Sequence, residues 1–270
     1  MDAAREARAQ RNRDLSYFKG ELKYVEGLFV DSEEDLVKKG YLDPERNMSM
    51  FGVARRLVES ENEDDMRKLG RFLRSVYDYQ GDKHFEIGRG AQQNTHRERR
   101  ERIAQTFDEL PEYLKRQFSK SSDIMNVLYR GGDMVAGKPK FTSAGPDGKV
   151  NASFSMDKSW AEFFGKSSTA RPRPPGTTGS YVFSKKDVAG HGSIIDLYAV
   201  GDFRRRLATY TDRMLKIANI EAETDRSKDK KVKFLAALDG ELNDAGGDYY
   251  GASAQDEYLI TDVRWNKPKD

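Results

Sequence analysis

The 270-residue chain is polar, with 37% hydrophobic and 34% charged residues, but its 14 Phe and 13 Tyr provide area for a core and exclude wholesale disorder. Its 47 basic and 45 acidic residues leave a formal net charge of +2, so charge alone does not support polyelectrolyte binding of nucleic acid. The absence of cysteine excludes disulfides and thiolate sites, and His84, His96 and His191 lack the spacing of a ligand set, so no metal is expected.

Residues 1 to 120 read as helical. Leu22, Val25, Leu28 and Phe29 recur at helical spacing and predict an amphipathic helix, while the stretch from Leu36 to Leu42 is short and stopped by Gly40 and Pro44. Ser60-Glu61-Asn62-Glu63 reads as a capping box. The helix it opens carries a stripe of Met66, Leu69, Phe72, Leu73, Val76 and Tyr77 and ends near Gly81. His96 to Phe107 predicts another helix, and Pro111 suits the first turn of the next. Arg97, Arg99, Arg100 and Arg102 invite a binding-patch reading, but the intervening Glu98 and Glu101 favour a solvated helix face.

Near residues 118 to 122 the periodicity changes. This divides the chain into a helical N-terminal region (1–120) and a strand-bearing unit (121–270). Ile124 to Tyr129 predicts a strand or its entry, bounded by Gly131-Gly132. Phe141 to Ser155 predicts a hairpin that turns at Pro146-Asp147-Gly148 and returns through Val150 and Phe154. A short helix is expected over 158–164, with Trp160, Ala161, Phe163 and Phe164, and then a loop over 170–179. Strands are expected at Tyr181–Ser184 and Ile194–Val200, a helix at Asp202–Leu215, and a charged loop or helix edge at Asp225–Lys233. A last strand starts at Tyr258-Leu259-Ile260. The pattern predicts an α+β fold with a mixed sheet, and neither GxGxxG nor GxxxxGK[ST] occurs to signal a Rossmann unit or a P-loop.

Three segments set polar groups beside apolar, strand-like sequence. They are Leu128-Tyr129-Arg130-Gly131-Gly132, Ser153-Phe154-Ser155 with the run to Phe164, and Gln255-Asp256-Glu257 before Tyr258. Singly they fit a strand edge, a turn and a surface carboxylate. Together, in this order, they resemble the mono-ADP-ribosyltransferases, whose signature runs Arg, then Ser-Thr-Ser, then Gln/Glu-x-Glu. Phe154 stands where Thr is commonest, and Ala161 and Phe164 follow Ser155 at the family's spacing. The resemblance covers residues 122–263 and leaves the N-terminal helices unexplained.

The resemblance implies an ADP-ribosyltransferase-like core that consumes NAD as co-substrate. In it Arg130 would grip the phosphates through its planar donor fork. Gly131 would approach the nicotinamide closely, and Phe164 would pack on that ring. Glu257 would be the catalytic carboxylate, answering the positive charge on the ribose as nicotinamide leaves, as in glycoside hydrolysis. Ser153 would hold Glu257 or the ribose, and Lys166, Arg171 or Arg173 would add a phosphate contact. Gln255 resembles the Gln-x-Glu group, whose acceptors are side chains other than arginine or, in some members, nucleobases. The turn Asp248-Tyr249-Tyr250-Gly251 resembles the family's target-recognition turn. The implied partner is a host protein or a nucleic acid, modified in a cell other than the protein's own, as bacterial toxins and phage-encoded members do. Two alternatives remain: an NAD glycohydrolase with water as acceptor, and a non-enzymatic interaction or nucleic-acid-binding protein on an inactive transferase fold. The charged N-terminus has no apolar signal run and no stretch is long and apolar enough to span a bilayer, so a cytoplasmic protein without a membrane partner is expected.

Overall fold

The computed structural model describes residues 2–29, 50–81, 92–135, 138–139, 148–159, 161–162, 177–245 and 257–266. They form helices and two few-stranded antiparallel sheets, a mixed α/β fold. The chain divides into two compact units, Met1–Leu73 with Gly201–Gly247 and Arg74–Val200 with Asp248–Asp270. The periodicity change near 118 to 122 marks where helices give way to strands. The units are instead drawn from discontinuous stretches, and residues 74–120 fall with the strands.

The helical unit contains α1 (Asp2–Phe29), α2 (Met50–Ser60), the first part of α3 (Glu63–Gly81), most of α6 (Leu197–Ala222) and α7 (Asp229–Asp244). Its core takes Val53, Ala54, Leu57 and Val58 from α2, Met66, Leu69, Phe72 and Leu73 from α3, and Phe203, Leu207 and Tyr210 from α6. The expected capping box does not form. Ser60 ends α2 with its hydroxyl donating to the Leu57 carbonyl, and Glu61 turns the chain at φ 48°. Asn62 caps α3 instead, its Oδ1 accepting from the amides of Asp64 and Asp65 at 3.0 and 3.2 Å. Asn62 wins because it directly precedes Glu63, Asp64 and Asp65, whose charges suit a helix N-terminus. The charged stretch 225–233 is the edge of a helix, one of the two forms expected for it. Asp225 caps a 3-10 turn (Arg226–Lys228), and α7 follows at once, burying Phe234, Leu235, Leu238 and Leu242 on one face. The charges crowd the start of that helix and hide its apolar period.

In the second unit, α4 (Gln92–Asp108) and α5 (Glu112–Phe118) precede the strands. The apolar run from Ile124 forms a 3-10 helix (Ser122–Val127), capped by Ser121, so the strand begins later than expected. β1 (Arg130–Val135) pairs with β2 (Lys138–Pro139) and with β4 (Thr177–Phe183). In the other sheet β7 (Glu257–Trp265) lies between β3 (Val150–Ser155) on one side and β5 (Val188–Gly190) and β6 (Ile194–Asp196) on the other. All these pairings are antiparallel, where a mixed sheet was expected.

The strand expected over Ile194–Val200 stops at Asp196, because its Oδ1 accepts from the Ala199 amide at 2.9 Å and starts α6. Alternation sets the core: Val150, Ala152 and Phe154 of β3 are buried with Tyr258, Ile260 and Val263 of β7, Ile194, Met125 and Leu128. An aromatic seam joins the two sheets, with Trp265 stacked on Phe154 at 6.2 Å and tilted against Phe183 at 4.9 Å. Gly132 is required beneath it, since a Cβ there would collide with the Phe183 ring. Among the described residues no helix is long and apolar enough to cross a membrane.

Candidate functional site

Strand alternation on β3 sends Phe154 into the core and turns Ser153 and Ser155 to the opposite face, both half-buried. Two pairings then bring the signature segments together. Tyr129 and Ser155 form an isolated antiparallel bridge, each amide donating to the other's carbonyl at 2.8 Å. On its other edge Ser155 lies opposite Glu257, the first residue of β7. Arg130 follows Tyr129 directly, so the arginine, the Ser-Phe-Ser triplet and the glutamate, far apart in sequence, come from three adjoining stretches of backbone.

Arg130 is half-buried and its Nη1 donates to the Ser153 carbonyl at 2.7 Å, with the Ser153 hydroxyl at 3.4 Å. The carbonyl bond is the strong one, because 3.4 Å lies beyond the usual N–H···O range. Ser153 thus attends to the arginine, while its own β7 partner is Leu259. The residue of the triplet opposite Glu257 is Ser155, whose hydroxyl accepts from the Asp157 amide at 3.0 Å. Asp157 Oδ1 in turn takes the Ser159 amide at 2.7 Å and opens a helical turn. Gly131 sits on β1 opposite Val182.

Sequence reasoning missed Tyr79. Its hydroxyl donates to Glu257 Oε1 at 3.0 Å from the last turns of α3, and both residues belong to the strand-bearing unit. The apolar stripe expected from the sequence takes in Tyr77, but Tyr79 is the residue buried, at 2% exposure, and Tyr77 is half-buried. The signal was present, since Leu69, Phe72, Val76 and Tyr79 follow helical spacing without a break.

One strand further on, Asp196 of β6 lies opposite Tyr258, the neighbour of Glu257, and pairs with Lys120 at 3.4 Å. Burial pushes the Asp196 carboxyl up and the Lys120 ammonium down from their ordinary values. Gln255, Phe164, Lys166, Arg171, Arg173 and the turn at 248–251 lie outside the described residues. A cavity of about 640 Å³ in the helical unit, lined by residues including Arg8, Arg11, Leu15, Glu221 and Lys228, contains none of the site residues. Among the described residues no cluster of three or more carboxylate or imidazole groups could hold a metal ion. No protein-family model, curated protein or solved structure matches the chain.

Proposed function

We propose that the chain is an NAD-dependent mono-ADP-ribosyltransferase, with the strand-bearing unit as its catalytic core. The observation that carries the reading is the run of partners from Tyr129 and Arg130, through Ser155, to Glu257. Chance sequence similarity at three remote segments carries no requirement that they adjoin.

The donor set fits the substrate. A dinucleotide presents an anionic pyrophosphate, for which Arg130 offers a guanidinium already oriented by the Ser153 carbonyl. Bound NAD supplies the bond between nicotinamide and ribose that is to break. The nicotinamide leaves with the bonding pair, and the acceptor's nucleophile bonds to the ribose carbon and gives up its proton. Glu257 serves this exchange by setting a negative charge beside the positive charge that develops on the ribose. The resemblance of Gln255-x-Glu257 to the family's Gln-x-Glu group favours an acceptor other than arginine, in a host protein or a nucleic acid.

Glu257→Gln is expected to cut nicotinamide release by about a hundredfold or more, the scale of losing a transition-state electrostatic contact. Near-normal release by that variant sinks the reading. Incubation with labelled NAD and host extract identifies the acceptor, and nicotinamide release with no labelled macromolecule marks a glycohydrolase.

A further inference from the structure

Tyr79 supplies something that the Arg, Ser-x-Ser, Glu signature lacks. Its ring is buried to 2% exposure on α3, and its hydroxyl reaches Glu257 Oε1 at 3.0 Å from a helix, not from the sheet that carries the glutamate. A tyrosine has two side-chain torsions, and burial of the ring removes most of their freedom, so its hydroxyl is a rigid donor. Glutamate has more torsions to restrain, and Glu257 is half-buried at the very start of its strand. A carboxylate can accept about four hydrogen bonds, so one from Tyr79 orients the group without exhausting it.

We propose that Tyr79 is a positioning residue that holds the Glu257 carboxylate in a single orientation for ADP-ribosyl transfer. This rests on the transferase reading above, because only there does the placement of Glu257 set a rate. Tyr79 acts through Glu257 and not through the dinucleotide, so its loss falls on kcat and leaves NAD binding unchanged. A misplacement of about 1 Å costs around a hundredfold. With the ring retained, the carboxylate stays partly placed, and a loss of about tenfold is expected.

The test uses the full chain as wild type, Tyr79→Phe, Glu257→Gln and the double variant. Nicotinamide release, calorimetric NAD affinity and thermal melting are measured on each. Tyr79→Phe is expected to lower kcat about tenfold, with NAD affinity held within about twofold, and to add nothing in the Glu257→Gln background. Its melting temperature should stay within about 2 °C of wild type. Wild-type kcat in Tyr79→Phe overturns the proposal. So does a fall in kcat that tracks lost melting temperature and adds fully to Glu257→Gln, which marks a purely structural role. Turnover lost in Glu257→Gln but kept in Tyr79→Phe rejects Tyr79 alone, whereas a wild type that neither binds nor consumes NAD overturns the transferase reading and this inference with it.

Discussion

Arg130 and Ser153 make unequal contributions to their own contact. The guanidinium is held at 2.7 Å by a backbone carbonyl, which any residue at position 153 would provide, and the serine hydroxyl stands off at 3.4 Å. Ser153→Ala is therefore expected to raise the KM for NAD by no more than about threefold, the weight of one long, weak hydrogen bond. Arg130→Ala removes a charged donor fork and should raise it by about ten- to a hundredfold. Steady-state kinetics of the two variants side by side checks this, and equal effects would count against the geometry. The order of the signature residues was legible in the sequence. The division of labour inside Ser153-Phe154-Ser155 was not, because it depends on which serine lies opposite Glu257 across a strand pair.

At the scale of elements, the ion pair between Lys120 and Asp196 ties the end of the α5 segment to the β6–α6 junction. The Lys120 amide also donates to the Ile194 carbonyl at 3.0 Å, and Ser119 bridges to Ile195. Both side chains are largely buried, at 11% and 3% exposure. Burial disfavours both charges. The penalty on Asp196 is absent below the ordinary carboxylate range and builds as pH rises through its raised pKa. The penalty on Lys120 is absent above the ordinary lysine range and builds as pH falls through its lowered pKa. Each shift thus takes stability away, the one on Asp196 as pH rises above the ordinary carboxylate range and the one on Lys120 as pH falls below the ordinary lysine range. Lys120→Met with Asp196→Asn, which keeps an acceptor for the Ala199 amide, should be neutral or stabilising by about 1–4 kcal/mol near pH 7. The gain should shrink at acid pH, and melts at two pH values test it. A double variant less stable than wild type at pH 7 would contradict the account.

For the whole molecule, the strand-bearing unit includes residues 74–120, which contribute buried Ile103, Phe107, Leu114 and Phe118 and the Tyr79 hydroxyl. Arg100 also donates to the Asn151 carbonyl at 2.8 Å, tying α4 to β3. A fragment covering 121–270 loses all of these. It is expected to lack a cooperative thermal transition by circular dichroism and to release no nicotinamide, and a sharp melt from that fragment would refute this. Local sequence determined most of the helices and the alternation on β3, because periodicity and turn chemistry act over a few residues. Competing local caps set where two helices start, Asn62 displacing Ser60 and Asp196 turning a strand into a helix start. Tertiary structure alone decided that Ser155 meets Glu257 and that Tyr79 meets it from a helix. Register and helix placement are set by contacts between residues far apart in the chain, and local pattern does not encode them.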